Sequence, residues 1–524
     1  MLPLIFAATL IVPAAATSSS EARPLLARGN GIIRAPVRAV PAPIPAPKSL
    51  NSRQEVLDLV HHSNGSRYTI EVGIGTPPQD ITLILDTGSP DTWVNPTCAT
   101  AEFVESYRDC QAFPQYDYTR SSSVNITEYA EVLRYGRGNA TVQYVGETLT
   151  FGSASITNQL IGVAIESHQI PLGILGLSPP VNSRADYPFV LDTMVDQGVI
   201  ESRAFSLDLR SIDNPNGAII FGGVDTGKYI GELAKLPMLD PLDSPGGANR
   251  YYVTMTGVGL TLPNGEVARS GAIDVPVFLD SGGTLSQLPR NIFQAFAAAF
   301  DGAEYDPDQG YYFVPCDVTD LRGSVDFYFG DDDDDNDGGG GTSSSSSSSS
   351  KVIRVPFNDF VWQIEGYCIL GVVESDGEAV LGDTFLRAAY VVFDQDNRNL
   401  HIAQAANCGE NLVAIGRGPD AVPSSTGDCT ALPTPTGGRG DLDVTATRAP
   451  PGTYKGSGPT GVALGPGPAA SKEGGDGAVV GTGLPQPTGK TGDEENAAGR
   501  GVAGVGFAAV VAWGMVNLMT WVML

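Results

Sequence analysis

Between about residues 65 and 412 the apolar positions come in short runs of Val, Ile, Leu, Phe and Tyr, cut by Gly, Pro, Asn and Asp. Tyr68–Val72, Ile81–Leu85, Thr148–Phe151 and Tyr390–Asp394 alternate or are wholly apolar over the length of a strand. Helical spacing is rare, and Asn291–Phe300 carries it most clearly. The pattern predicts an all-β (mainly β) body. Two further strands, Ser324–Phe329 and Val352–Phe357, flank the run DDDDDNDGGGGTSSSSSSSS at 331–350. That run reads as an expanded, disordered hairpin tip. Asp333, Asp335, Asp337 and Gly338 imitate the start of a calcium loop, but its twelfth position is Ser344, so the bidentate carboxylate is missing.

The same unit occurs twice. Leu83-Ile-Leu-Asp86-Thr-Gly-Ser89 and Val277-Phe-Leu-Asp280-Ser-Gly-Gly283 are each an apolar strand ending in Asp-Thr/Ser-Gly. Each is followed by a second apolar pair and Gly, at Ile174-Leu175-Gly176 and Val380-Leu381-Gly382. The intervals from Asp to Gly are 90 and 102 residues; without the 20 residues 331–350 they differ by 8. Duplication accounts for this better than chance.

The ends have a different texture. Residues 1–16 are apolar, uncharged and close on Ala14-Ala15-Ala16, which predicts a secretory signal peptide, a buried helix being the rival reading. Residues 413–500 are rich in Gly, Pro, Ser, Thr and Ala and predict a disordered stalk. Its Arg439-Gly440-Asp441 is a three-residue match in a biased segment and carries no weight. Residues 501–524 are uncharged and follow the small-residue site Asn496-Ala497-Ala498. That is the layout of a GPI-attachment signal with Asn496 as the attachment residue; a retained membrane span is the alternative.

Charge changes the picture of the leader. The 524 residues carry a net charge of −28, with 31 Lys+Arg against 59 Asp+Glu. A backbone-tracking nucleic-acid binder needs the opposite balance, so no nucleic-acid partner is expected. Residues 17–54 nevertheless hold six basic groups against one acid, net +5, which leaves −33 on the remainder. Residues 17–64 therefore read as a basic propeptide held by an acidic cleft and released on acidification, or else as a solvated Pro-rich leader.

Secretion would place the six cysteines in an oxidising compartment. Proximity in sequence suggests Cys98–Cys110, Cys316–Cys368 and Cys408–Cys429, one of fifteen possible connectivities. Sequons at Asn64, Asn125 and Asn139 suit N-glycosylation.

The candidate chemistry is a carboxylate pair. Gly after each Asp-Thr/Ser lets backbone amides approach the carboxylate, and the hydroxyl neighbour orients it. Two such turns brought together would share one proton, leaving a base for water and an acid for a carbonyl. Neither a metal nor a cofactor is required. Rival motifs fail: Gly222-Gly-Val-Asp-Thr-Gly-Lys228-Tyr229 puts Tyr where a P-loop needs Ser or Thr, and Gly73-Ile-Gly75 precedes Thr-Pro-Pro rather than a helix. The four histidines form no site.

Residues 65–412 resemble the pepsin-like aspartic proteases along their whole length. The resemblance rests on Tyr68–Gln79, Asp86–Ser89 with Trp93-Val94, Leu133–Gly138, Gly222–Asp225 with Tyr229 and Gly231, and Val380–Arg387 leading into Tyr390–Asp394. It implies a bilobal fold, with lobes at 65–235 and 236–412 and the active site in the cleft between them. It assigns Asp86 and Asp280 as the catalytic dyad, and Tyr135 and Gly136 as the flap over the substrate, with the Tyr135 hydroxyl bonding toward Trp93. Thr87, Gly88, Ser89, Ser281, Gly282 and Thr284 would support the dyad. The chain departs from the family at Gly283, where Thr or Ser is usual; the lost hydrogen bond raises the Asp280 pKa and costs about 1.5–3 kcal/mol of orientation. The layout of signal, stalk and tail resembles the GPI-anchored fungal yapsins. The expectation is an acid-optimal endopeptidase at the cell surface or wall, or secreted, monomeric and acting on polypeptides. The alternative is a silent homologue that binds peptides.

Overall fold

The computed structural model describes residues 31–40 and 67–430, apart from 96–97, 99–109, 137, 182–186, 213–215, 266, 271, 308–309, 331–350 and 365. The expected signal peptide, the residues around Asn64, the acidic loop tip, the rest of the stalk and the C-terminal signal with Asn496 lie outside the described residues.

The duplicated unit is visible as duplicated strand pairing. Gln79–Asp86 runs parallel to Gly173–Gly176, with Asp86 opposite Gly176. Val275–Leu279 runs parallel to Ala379–Leu381, with Leu279 opposite Leu381. In each half a further strand crosses the second one antiparallel: Trp93 faces Ile174, and Gln287 faces Val380. These strands are apolar on both faces because both are covered, which is why their sequences do not alternate. Leu83, Leu85, Val277 and Leu279 are all fully buried.

The first half belongs to a 13-stranded sheet that extends through Ala204–Asp208, Ala389–Asp394, Asn399–Ala405 and Tyr229–Pro237. Strands from both halves thus share one sheet, and the expected lobe boundary at 235/236 falls inside a strand of it. Most of the remaining described strands of the second half form an 8-stranded sheet and a 4-stranded sheet. The predicted helix forms at Arg290–Ala299 and buries Ile292, Phe293, Phe296 and Ala297 along one face. Ser324–Phe329 pairs antiparallel with Lys351–Pro356, as strands on either side of a hairpin should. All three cysteine pairs suggested by proximity are disulfides.

Two boundaries move. Ile33–Val40, counted with the leader, is a strand of the large sheet, inserted between Asn216–Phe221 and Arg67–Ile74. Ile33, Ala35 and Val37 are buried on one face, a period-two pattern within a Pro-rich stretch. Arg34 of this strand pairs with Glu410 at 2.6 Å, so this part of the basic leader is held in the sheet.

The stalk cannot begin at 413. Leu412–Ala414 pairs with Gly223–Asp225, Asp428 N donates to Thr226 O at 2.8 Å, and Cys429 is joined to Cys408. Ile415, Ala421 and Val422 are buried against Tyr229 and Tyr390. The composition argument required the segment to bury itself; instead it borrows the surface of the body. Thr226 of the near-P-loop holds it, its Oγ1 donating to Asp428 Oδ2 at 2.8 Å, while Asp225 and Lys228 hold the residues just ahead of it. Asp225 Oδ1 accepts from Asn411 N at 2.7 Å, and Lys228 Nζ donates to Asn407 Oδ1 at 2.9 Å.

The Cys408–Cys429 loop spans 21 residues, for which chain entropy predicts about 3 kcal/mol of stabilisation. The double variant Cys408→Ser/Cys429→Ser should lose about that much in urea unfolding and become sensitive to proteolysis between 412 and 429. Unchanged stability and an uncleaved segment would show that non-covalent packing alone holds it.

Candidate active site

The two Asp-Thr/Ser-Gly turns grip each other. Thr87 Oγ1 donates to Leu279 O at 2.9 Å and accepts from Ser281 N at 2.9 Å. Reciprocally, Ser281 Oγ donates to Leu85 O at 2.8 Å and accepts from Thr87 N at 3.2 Å. Both hydroxyl residues are buried. Each turn therefore closes the orphaned backbone groups at the end of the other turn's strand.

This grip brings the carboxylates face to face. Asp86 is buried and Asp280 half-buried. Gly88 N donates to Asp86 Oδ1 at 2.7 Å, and Gly282 N donates to Asp280 Oδ1 at 2.8 Å. The glycines are required sterically. A Cβ on Gly88 would stand 2.6 Å from the Asp280 carboxylate, and one on Gly282 would stand 2.6 Å from Asp86 Oδ1. Ser89 Oγ donates to Asp86 Oδ2. Burial, then repulsion from Asp86, push Asp280 well above the usual carboxylate range, against the Gly282 N–H that favours its charged form. The arrangement is one that holds a single proton between two carboxyls.

The flap is the hairpin of Asn125–Arg134 and Asn139–Phe151, with Arg134 opposite Asn139 at its end. Tyr135 N donates to Gly138 O at 3.2 Å across the tip. Trp93 Nε1 donates to the Tyr135 hydroxyl at 2.7 Å, the contact expected between these two residues. Burial and the nearby Asp86 push the Tyr135 phenol up, so it stays neutral. Gly136 is exposed, and a Cβ there would meet nothing within 4 Å. Thr284 is buried, and its carbonyl accepts from Thr384 N at 3.1 Å. Asn125 is exposed and Asn139 half-exposed, at the outer and inner ends of the flap strands.

Several other groups near the dyad are assigned no role from the sequence. Asp383 is buried, and neither of its carboxylate oxygens has a hydrogen-bond partner among the described residues. Burial raises it, Arg387 opposes that shift, and Asp280 adds to it. Beside the flap, Asp91, Glu131, Tyr144 and Tyr187 form one hydrogen-bonded group. Alternation along Asn139–Phe151 places Tyr144 on a buried face, but nothing in a single sequence pairs it with Asp91, 53 residues away.

Thr87→Val keeps the shape of the side chain and removes both bonds of its hydroxyl, leaving Leu279 O and Ser281 N buried without a partner. The loss should be about 3 kcal/mol in urea unfolding, with Thr87→Ser close to wild type. Equal stability of the valine variant would show that the grip does not hold the two halves.

The family model described as eukaryotic aspartyl protease matches residues 67–405. A probable aspartic-type endopeptidase opsB of Aspergillus fumigatus is 32% identical over 371 residues, covering 68% of this chain and 73% of that protein. The aspartic proteinase yapsin-3 of Saccharomyces cerevisiae is 31% identical over 367 residues, covering 65% of this chain and 66% of its own. Among solved structures, an aspartic proteinase from Irpex lacteus superposes with a TM-score of 0.50 at 22% identity, covering 65% of this chain and 95% of that one.

Proposed function

Because the chain belongs to the eukaryotic aspartyl protease family, whose members are aspartic-type endopeptidases of polypeptides, we propose that Asp86 and Asp280 are its catalytic pair and that it works in acid. The observation that carries this is the crossed approach of the two turns, in which each glycine lies against the other turn's carboxylate. A water held between the carboxyls loses its proton to Asp86 and attacks the scissile carbonyl. Asp280 keeps the shared proton and donates a hydrogen bond to the carbonyl oxygen, then delivers the proton to the leaving amine. Thr87 and Ser281 position the pair, Ser89 orients Asp86, and Trp93 orients Tyr135. Tyr135 and Gly136 close over the substrate backbone. Thr284 supports the turn that carries Asp280.

The sign of the pH dependence follows. Asp280 is needed as the acid, and its pKa is raised. The reactive form is present below that pKa and is lost as pH rises through it. The limb should therefore lie above the range of an ordinary Asp.

The rest of the reading is architectural. Residues 1–16 direct the chain into the secretory route. Residues 17–64 are a propeptide, one strand of which is held in the sheet. Glycans are carried at Asn64, Asn125 and Asn139. A stalk beyond residue 430 leads to a lipid anchor at Asn496, presenting a monomeric protease at the cell surface or wall. Release from cells by a phosphatidylinositol-specific phospholipase C tests the anchor; protein that stays with the membrane fraction would point to a retained span.

Gly283 favours a second reading, a homologue that binds peptides without cleaving them, because it brings no hydroxyl to Asp280. Peptide cleavage at pH 3–5 decides between them. Wild type should cleave and be blocked by pepstatin, and Asp86→Asn and Asp280→Asn should each be inactive. Absence of cleavage at any pH, or cleavage that survives Asp86→Asn, would overturn the proposal.

A further inference from the structure

Glu131 lies on the first flap strand, Tyr144 on the second, Asp91 on the loop that follows Asp86, and Tyr187 just ahead of the helix Val190–Asp196. The flap hairpin, the loop after Asp86 and the residues ahead of that helix, three segments distant in sequence, thus meet at one point. The Tyr144 hydroxyl stands 2.9 Å from Asp91 Oδ1, 3.3 Å from Glu131 Oε2 and 3.3 Å from the Tyr187 hydroxyl. Tyr187 also donates to Asp91 Oδ1.

The proton count in this group is short. Tyr144 has one proton and two carboxylates to serve. With both carboxylates ionised, one of its carboxylate contacts sets oxygen against oxygen with no hydrogen between them. A proton on Glu131 removes the conflict. Glu131 then donates to the Tyr144 oxygen, and Tyr144 and Tyr187 both donate to Asp91. The bulge in the strand pairing between Ile126 and Ala130 ends just ahead of Glu131, which itself pairs with Val142 in the regular ladder that runs to the flap tip.

We propose that Glu131 is a positioning residue for the flap: in its protonated form it ties the first flap strand, through Tyr144 and Asp91, to the loop that follows Asp86. When it ionises, that tie is lost and the flap is held less well over the substrate. The inference rests on the reading of Asp86 and Asp280 as the dyad and of Tyr135 as the flap residue. The groups acting on Glu131 are Asp91 and Tyr144, and those bonded to Asp91 are Tyr187 and Tyr144. Tyr135, at the tip of the same flap, faces Asp91 and Asp86. Partial desolvation of its carboxyl and then the Asp91 charge raise Glu131, and burial raises Asp91. A raised folded-state pKa means that the tie is present below it and lost as pH rises through it. Glu131 is exposed to solvent, so it exchanges its proton freely and its contribution is modest.

The test is KM and kcat for a peptide substrate from pH 3 to 7, for wild type, Glu131→Gln and Glu131→Ala. The glutamine amide donates at every pH. Wild-type KM should climb about three- to tenfold as pH rises, while Glu131→Gln keeps the low value and Glu131→Ala shows the high value throughout. The kcat limb set by the dyad should be the same in all three. A KM that does not change with pH, or three superimposable KM profiles, would overturn the proposal. Hydrogen exchange of residues 125–139 in the Asp86→Asn protein gives a readout that needs no activity. Protection should fall with rising pH when Glu131 is present and stay constant in Glu131→Gln. If no variant cleaves but exchange follows this pattern, the dyad reading fails and the flap inference stands. If cleavage depends on Asp86 while exchange and KM ignore Glu131, the reverse holds.

Discussion

Everything else in the molecule depends on the reciprocal bonds between Thr87 and Ser281. Two apolar strands end at the same place, each with backbone groups that its own ladder leaves unpaired. The hydroxyl of each turn supplies the missing partner to the other. Four buried hydrogen bonds at one point are costly to break singly, because each lost partner strands a polar group away from water. The grip thereby fixes the relative position of two carboxylates that repel each other. Without it, Asp86 and Asp280 would lower their energy by moving apart. With it, the repulsion adds to burial in holding Asp280 well above the usual carboxylate range.

The large sheet does for the two halves what the grip does for the two turns. Ala389–Asp394, from the second half, pairs with Ala204–Asp208, and Tyr390 lies over Tyr229. The strand Ile33–Val40 continues that sheet, and charge follows it inward. Asp208 is buried beside Arg210 at 2.8 Å. Burial pushes it up to about 6, opposed by the positive charges of Arg210, Lys228 and Arg34. Sign matters here. A raised pKa means that ionised Asp208 is a cost in the fold above about pH 6, and that cost disappears as pH falls. The body thus gains from acid at Asp208, as it does at Asp280, which suits a protein whose proposed chemistry runs there.

Most of the fold and the centre of the site could be read from the chain, and the reasons are local. Asp86 and Asp280 each end an apolar strand, and the second apolar-Gly element of each half betrays the duplication. The three disulfides join cysteines that are neighbours in sequence. What escaped was non-local. Residues 412–429 have too little apolar surface to fold alone, and nothing in their composition says that Tyr229 and Tyr390 will cover them. Ile33–Val40 alternates correctly, but the prolines and arginines around it make the stretch read as a basic propeptide outside the body. The group around Tyr144 needs residues 53 and 43 positions away, a relation that only a fold can supply.

Gly283 acquires a different meaning once the geometry is known. In isolation it is a missing hydroxyl beside Asp280, the proposed acid of the pair, and so a reason to doubt activity. The two carboxylates of the proposed reaction, however, have unequal tasks. One must accept a proton from water, and the other must hold a proton until the amine leaves. Asp86 accepts from Gly88 N and from the Ser89 hydroxyl; Asp280 accepts from Gly282 N. Hydrogen bonds to a charged carboxylate favour ionisation. A residue without a hydroxyl at 283 therefore acts on Asp280 in the same direction as burial and as the charge of Asp86, toward the protonated form. The departure from the family pattern sharpens the division of labour within the pair rather than removing one of its members.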